Sequence, residues 1–390
     1  MFTETAPPAR LAPLFSRKNP FPAPLLTRRA LSGPGSEKAT FHYEFSLEES
    51  GLVFEVGDSL GIFPANAPEL VQEILSLLGF TGDEQVAGAS GESVSLRTAL
   101  LCNRTITTPS RQFVQSVAER VPSARFLLEY CDLQQRAKLD SYLWGRHVVD
   151  FLLEYPELRN KFSPADFAGL LSKLQPRLYS IASSLKRYPD AAHLLVTSVE
   201  FESHGRTRQG VCTSFLSGRI QEGTRVPVFV HTAKHFRLPD DPGASIIMIG
   251  VGTGLAPYRA FLQERQAIGA TGRNWLFFGE QRRAANFYHE LEWAVGTSSG
   301  FLTRLDTAFS RDQSHKIYVQ HRMREAGREL WSWLQEGAYL YVCGDAERMA
   351  PDVDAALHAI VEECGQMSKE AAAEYLGELK RLKRYRRDVY

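Results

Sequence analysis

Cysteine is scarce and scattered in this chain. Its 390 residues include five (Cys102, Cys131, Cys212, Cys343 and Cys364), none of them spaced as C-x-x-C. An odd, dispersed set argues against a disulfide framework or a zinc site and fits a reducing cytoplasm. An excess of either charge is missing as well, because 45 basic and 45 acidic side chains cancel. With no global field to draw it to nucleic acid or an anionic membrane, neither is expected as a partner, and no metal is expected. Long apolar runs are absent. The longest lies around 244–251, far short of the ~20 residues that cross a bilayer. A signal-peptide core is absent because prolines interrupt the early apolar runs. These absences predict a soluble cytoplasmic protein. No internal repeat of fixed period stands out, and the composition, 44% hydrophobic and 23% charged, is that of ordinary globular chain.

What is present changes character along the chain. Pro7, Pro8, Pro13, Pro20, Pro22 and Pro24 crowd the start. So many prolines exclude helix and central strand, and predict an extended arm over 1–20. Strand-like alternation follows at 41–47, and 51–63 reads as strand, turn and strand around Gly57-Asp58. From 67 to about 174 the periodicity is helical, with runs at 68–78, 127–139 and 142–153. Strand signals return at 178–181, 193–201 and 225–230. The pattern predicts a β-barrel domain over 21–240 whose sequence is interrupted by a helical insertion. After the Pro239-Asp240-Asp241-Pro242-Gly243 linker, short apolar runs at 245–251, 274–278, 301–305 and 339–343 alternate with helical segments. That predicts an α/β domain over 241–390 with a parallel sheet covered on both faces. The basic residues Lys380, Arg381, Lys383, Arg384, Arg386 and Arg387 read as the last turns of a helix, complementing its dipole.

Several constellations carry chemistry. The run 246–249 leads into Gly250-Val251-Gly252-Thr253-Gly254-Leu255-Ala256-Pro257, a glycine-dense turn between strand and helix where a pyrophosphate can approach bare backbone. Taken alone it is equally a tight turn, and it does not meet the G-x-G-x-x-G fingerprint. Ser310, Arg311, Lys316 and Tyr318 form a donor-rich group suited to a phosphomonoester, which would select NADPH over NADH; alone they are surface charges on a loop. Arg177 and Tyr179 share one face of a predicted strand, pairing a guanidinium with a flat ring. Gly210 opens a short helix that is a second possible pyrophosphate seat. His231 and His235 are four apart but lack a third ligand.

The segments RLYSIASS, GVCTSFL, IGVGTGLAP, LFFGEQRR, SRDQSHKIYVQ, YVCGDAERM and RDVY occur in that order. Together they resemble the ferredoxin-NADP reductase-like half of the diflavin reductases, the group containing cytochrome P450 reductase, and within it the sulfite-reductase flavoprotein (alpha-subunit) branch. The resemblance covers about 20–390 and implies an antiparallel FAD-binding barrel followed by an NADP-binding α/β domain, with FAD and NADPH as cofactors. The family's flavodoxin-like FMN domain has no counterpart in this sequence. Carried over, the resemblance puts Arg177 on the FAD phosphates, Tyr179 against the isoalloxazine and Ser180 near its reactive nitrogen, with Leu178 between them also among the cofactor-binding residues. Phe201 stands where an aromatic stacks on adenine. Gly210, Val211, Cys212, Thr213 and Ser214 hold the FAD pyrophosphate, which Arg146 approaches from the insertion. For the nicotinamide coenzyme it implies Gly252, Thr253 and Gly254 at the pyrophosphate, and Ser310, Arg311, Lys316 and Tyr318 at the 2′-phosphate, with Gln320 nearby. Asp352 falls at another coenzyme position, and Arg28 is a loose match to an NADP-contacting arginine. Ser180, Cys343 and Asp388 would surround the hydride-transfer site, with Tyr390 shielding the flavin.

The leading expectation is an NADPH-oxidising flavoprotein that passes electrons to a siroheme sulfite reductase hemoprotein. A free-standing NADPH:ferredoxin or flavodoxin reductase is the alternative within the same chemistry. A flavin-binding scaffold without catalysis is the non-enzymatic one.

Overall fold

The computed structural model describes residues 14–390. Pro7, Pro8 and Pro13, and most of the predicted arm, lie outside the described residues. In chain order the strands are β1 (Phe21–Ala30), β2 (Thr40–Ser46), β3 (Ser59–Ile62), β4 (Gln85–Ala87), β5 (Ser93–Ser95), β6 (Arg177–Ser180), β7 (Ala191–Thr197), β8 (Glu200–Ser203), β9 (Arg206–Gln209), β10 (Arg225–His231), β11 (Ile246–Val251), β12 (Asn274–Glu280), β13 (Arg304–Phe309), β14 (Tyr339–Gly344) and β15 (Tyr385–Val389). The chain divides into two compact units. Of the described residues, one comprises 14–61, 178–197 and 221–390, the other 62–177 and 198–220.

The first unit contains two sheets. Six strands in the order β6-β3-β10-β1-β2-β7 form one of them. A bridge between Ile181, just past β6, and Leu194 in β7 joins its two ends and closes the barrel. The prolines of β1 do not exclude a strand inside the sheet, contrary to the expectation from sequence. Phe21–Pro24 pair with β10, and Leu25–Ala30 pair with β2 after a register shift. The proline half of β1 is therefore paired on one side only, where a missing N–H costs nothing. Pro22 stands opposite Pro227, which is tolerated only at a pair that exchanges no hydrogen bonds. Of the strand, turn and strand expected over 51–63, only the second strand forms, as β3.

The second sheet of this unit is parallel, in the order β13-β12-β11-β14-β15. Its central strands are apolar runs because both faces are covered. Ile247, Ile249, Trp275, Phe277, Leu340 and Val342 enter one core, while Ile246, Met248, Leu276, Phe278, Tyr341 and Cys343 enter the other. That division is the period of two along a strand. The strand expected at 301–305 forms three residues later, as β13. The predicted basic helix end is also corrected: the helix Lys369–Arg381 stops before Lys383, whose φ of 55° cannot continue a helix, and the chain turns into β15. From β11 the strand order runs outward through β12 and β13 on one side and returns to β14 and β15 on the other. The reversal sets a crevice at the carboxyl ends of β11 and β14.

The second unit is mainly helical around one core centred on Phe113, whose ring meets Phe151 edge-on at 5.5 Å and Phe167 at 6.2 Å. Pro68 begins the helix Pro68–Leu78, and Gly79 ends it in the left-handed conformation with its N–H on the Leu75 and Ser76 carbonyls. The predicted helical run 127–139 is broken, because Asp132 caps a new turn by accepting from the Gln134 N–H. The β4–β5 and β8–β9 hairpins complete the unit.

Candidate functional site

In the first unit the crevice between β11 and β14 is built from glycine. Gly252 has φ +60°, and a side chain on Gly254 would place its Cβ 2.2 Å from the Cys343 carbonyl oxygen. Only bare backbone lets the turn Gly252–Leu255 lie against the end of β14 before the helix Ala256–Ala267 begins. Cys343 is fully buried there and directly opposite Asp388 in the β14–β15 register. Burial, helped by the Asp388 charge, pushes its thiol well above the ordinary range, so the sulfur stays protonated at neutral pH and is no nucleophile. The Ser180 hydroxyl donates to Asp388 Oδ2 at 3.0 Å, joining residues 208 positions apart. Burial raises the Asp388 carboxyl above its usual value, and the serine hydrogen bond opposes that rise without cancelling it.

Tyr390 follows β15 and is tied down by backbone, its N–H on Gly344 O at 3.1 Å and its carbonyl accepting from Ala346 N–H at 3.0 Å. Its hydroxyl meets Thr253 Oγ1 at 3.0 Å, so the last side chain of the sequence closes on the glycine turn. The residue as a whole is 64% exposed, yet burial of the hydroxyl end raises that group, with Cys343 as the next contributor.

The predicted phosphate group lies on the loop after β13. Ser310 N–H donates to Glu280 O at 2.9 Å and Arg311 N–H to Gln281 O at 2.8 Å, which ties the loop to the end of β12. Lys316 and Tyr318 are exposed. Gln320 donates to Asp352 Oδ2 at 3.0 Å, uniting two predicted residues. Three residues went unnoticed in the sequence. Glu37 is ion-paired to Arg311, Lys38 reaches Glu280 at 2.6 Å, and Glu280 is buried at the end of β12, 3.5 Å from where a Gly252 Cβ would sit. An acidic residue on a polar loop carries no signal of its own. Arg28, the loose match, lies in β1 with its N–H on Glu222 Oε1 at 3.3 Å.

The remaining flavin candidates divide between the units. Leu178, Tyr179 and Ser180 belong to the first, whereas Arg146, Arg177, Phe201, Gly210, Val211, Cys212, Thr213 and Ser214 belong to the second. In the second unit Gly210 caps the short helix Val211–Ser214. Thr213 Oγ1 accepts from Val199 N–H at 3.2 Å and donates to Gly210 O at 3.2 Å. Arg219, which the sequence reading missed, braces this segment through Val211 O at 2.8 Å and Ser214 Oγ at 3.0 Å. Arg146 donates to Glu154 at 2.7 Å and lies over the Tyr142 ring at 4.3 Å, while its buried Nε has no partner. Phe201 pairs with the exposed ring of Trp144 at 5.9 Å. Arg146, Trp144 and Phe201 line one cleft of about 630 Å³.

A closed antiparallel barrel and a parallel sheet with a glycine turn at its switch point define the class of flavin- and nicotinamide-dependent oxidoreductases. The comparisons bear this out. Residues 13–215 match the FAD binding domain family and residues 248–355 the oxidoreductase NAD-binding domain. The chain belongs to the FAD-binding family. It is 45% identical over 376 residues to the sulfite reductase [NADPH] flavoprotein alpha-component of Aliivibrio fischeri, covering 96% of this chain and 61% of that protein. It is 43% identical to that of Bacillus subtilis, over 96% of this chain and 62% of the relative. The Vibrio vulnificus protein is 42% identical, with 97% and 60% covered. The chain thus spans about three fifths of the length of the relatives it matches. No helix among the described residues is long and apolar enough to cross a membrane.

Proposed function

We propose that this chain oxidises NADPH through a bound FAD and delivers the electrons to a partner, as the flavoprotein component of a sulfite reductase. The observation that carries the reading is the Ser180–Asp388–Cys343 cluster, set where the switch point of the parallel sheet meets the glycine turn. The residues also suit the cofactors. Gly252 is in the left-handed conformation with only Glu280 Oε1 near where a Cβ would sit, so the turn presents bare backbone there; Arg311 already holds one carboxylate, and Arg146 keeps a buried, unpartnered N–H.

In this reading Gly252, Thr253 and Gly254 hold the coenzyme pyrophosphate, and Ser310, Arg311, Lys316, Tyr318 and Gln320, with Asp352 behind Gln320, hold the 2′-phosphate. Arg146, Arg177, Phe201, Gly210, Val211, Cys212, Thr213 and Ser214 take the adenine and phosphates of FAD, and Leu178, Tyr179 and Ser180 its ring. What FAD supplies when bound is the conversion of a two-electron donor into one-electron deliveries. Asp388 places a negative charge where positive charge develops on a nicotinamide ring as it is oxidised, and Ser180 fixes the orientation of that carboxylate. Cys343, protonated and buried, fills the floor and shields the ring from water. Tyr390 occupies the entry and must swing off Thr253 before the coenzyme ring can settle.

Sulfite reductase is favoured over a free-standing ferredoxin or flavodoxin reductase by the names of the relatives at 42–45% identity. The test is anaerobic titration of the FAD-loaded protein with NADPH, followed by acceptor assays. Stoichiometric bleaching of the flavin band is expected; a band that stays unchanged leaves only a scaffold. Faster reoxidation by a siroheme hemoprotein than by ferredoxin or flavodoxin is expected, and the reverse order would replace the partner.

A further inference from the structure

The loop between β1 and β2 leans on the α/β domain at three points. Gly33 N–H donates to Ala285 O at 2.8 Å, Ser36 Oγ accepts from Asn286 Nδ2 at 2.8 Å, and Lys38 Nζ meets Glu280 at 2.6 Å. Glu37 sits between two of these anchors. With both neighbours fixed, its carboxylate is held over the Arg311 guanidinium rather than arriving by chance from a loose loop. Arg311 itself is oriented by its backbone, the N–H on Gln281 O and the carbonyl on Arg282 Nη1 at 2.9 Å. The hydrogen bond and charge of Arg311 hold the Glu37 carboxyl below its usual value, so it is anionic throughout the neutral range.

A carboxylate on a guanidinium is the nearest side-chain equivalent of a phosphate on one, sharing the same planar fork of donors. We propose that Glu37 is a built-in competitor for the coenzyme 2′-phosphate, holding Arg311 when the site is empty and giving it up only to a phosphorylated ribose. The inference rests on the reading of this loop as the 2′-phosphate group. It assigns Glu37 two effects. The guanidinium stays pointed at the loop rather than wandering, and each phosphorylated coenzyme must displace an anion, which weakens its hold and speeds its departure. Both partners are partly open to solvent, 60% for the Glu37 side chain and 36% for Arg311, so the exchange is between weak surface pairs and is readily reversible.

The experiment compares binding of 2′,5′-ADP and 5′-ADP by titration calorimetry in the FAD-loaded full chain, its Glu37→Gln, Glu37→Asp and Arg311→Ala variants. Glutamine keeps the shape and the Ser36 and Lys38 anchors while removing the charge. Glu37→Gln is expected to bind 2′,5′-ADP about two- to fivefold more tightly, the worth of one exposed ion pair. Its 5′-ADP affinity should stay unchanged, and the difference should shrink as salt is raised. Glu37→Asp should stay near the parent. Unchanged 2′,5′-ADP affinity in Glu37→Gln, with Arg311→Ala still weakening it, overturns the competitor and leaves the phosphate loop standing. Equal shifts for both nucleotides also overturn the competitor, because they report a general change in the loop. Unaltered 2′,5′-ADP affinity in Arg311→Ala overturns the phosphate reading itself and the competitor with it.

Discussion

Acid should destabilise this protein well before its carboxylates titrate, because three histidines are buried uncharged. His42 on β2 and His193 on β7 meet edge-on at 5.0 Å, and His289 meets His42 at 5.3 Å. Burial first, then the Arg259 cation, holds His42 down at about 2 and His193 at about 3, and burial lowers His289 as well. The other charges facing the cluster are Glu44, Glu292 and Arg29. Arg259 donates to His193 Nδ1 at 3.2 Å, and since arginine cannot accept, the proton of His193 sits on Nε2, towards Glu44. His42, Glu44 and His193 bring ligand atoms within 4.8 Å of one another, but this tautomer leaves His193 no lone pair for a metal there. The pH dependence follows from linkage. Each folded value lies below the unfolded ~6.5, so the unfolded chain binds the extra protons, and stability falls as pH drops below 6.5. At pH 5 each such histidine costs about 2 kcal/mol, or about 4 kcal/mol for His42 and His193 together. That is a large share of a typical ~5–15 kcal/mol. The assay is urea unfolding at pH 7.5 and pH 5 for the parent and His193→Gln, with FAD present throughout. Glutamine can still accept from Arg259 but does not titrate, so the drop between the two pH values should shrink by about 2 kcal/mol whatever the variant's stability at pH 7.5. An undiminished drop would refute the reasoning.

Asp388→Asn should raise the melting temperature at pH 7.5 while slowing flavin reduction by NADPH. The folded value of Asp388 is raised, so the native state favours its proton, stability falls as pH rises through that value, and at neutral pH the charge is a net cost that asparagine removes while still accepting from Ser180. A lower melting temperature with an unchanged rate, by scanning calorimetry and stopped-flow absorbance, would contradict both halves. Tyr390→Ala should raise the ratio of NADH to NADPH catalytic efficiency. Displacing the tyrosine breaks a hydrogen bond worth ~0.5–1.5 kcal/mol, a cost that NADPH offsets through its 2′-phosphate and NADH cannot. A steady ratio makes Tyr390 an ordinary packed terminus.

How much of this could be read beforehand depended on burial. β11, β12 and β14 stand out as apolar runs because water reaches neither face, and β2 because it alternates. β15 was hidden: Tyr385, Arg386, Arg387, Asp388 and Val389 form an edge strand whose polar residues look like a helix end. β1 was hidden by prolines that matter only where a strand is paired on both sides. The glycine turn was visible as a turn, but why Gly254 must lack a side chain depends on the Cys343 carbonyl, which is remote in sequence. The Ser180–Asp388 bond, the Glu37–Arg311 pair and the contacts of His42 with His193 and His289 join residues more than 140 positions apart. No periodicity encodes such pairs; the first was anticipated through family resemblance and the other two were not anticipated at all.

Strand order also accounts for the electrical polarity of the nucleotide-binding edge. The loop that follows β13 carries Arg311 and Lys316, the glycine turn follows β11, and Cys343 and Asp388 end β14 and β15, in the lateral order β13-β12-β11-β14-β15. β13 and β14 are three strand spacings apart, about 14 Å at ~4.8 Å each. An end carrying Arg311 and Lys316, a bare backbone centre and an end with the half-buried Asp388 carboxylate thus lie in sequence along a single edge. An oxidised nicotinamide coenzyme is polarised in the matching sense, phosphate at one end and a positive ring at the other. Reversing it would set the ring against Arg311 and the phosphate against Asp388, unfavourable at both ends. On the proposed assignment of these residues, the sheet topology would favour one orientation before any individual hydrogen bond is counted. On the proposed reading the two carboxylates would act in opposite directions: Asp388 would favour the charged ring of the product, while Glu37 would compete with its phosphate. Retention at one end would then be balanced by release at the other, as suits a coenzyme that exchanges repeatedly.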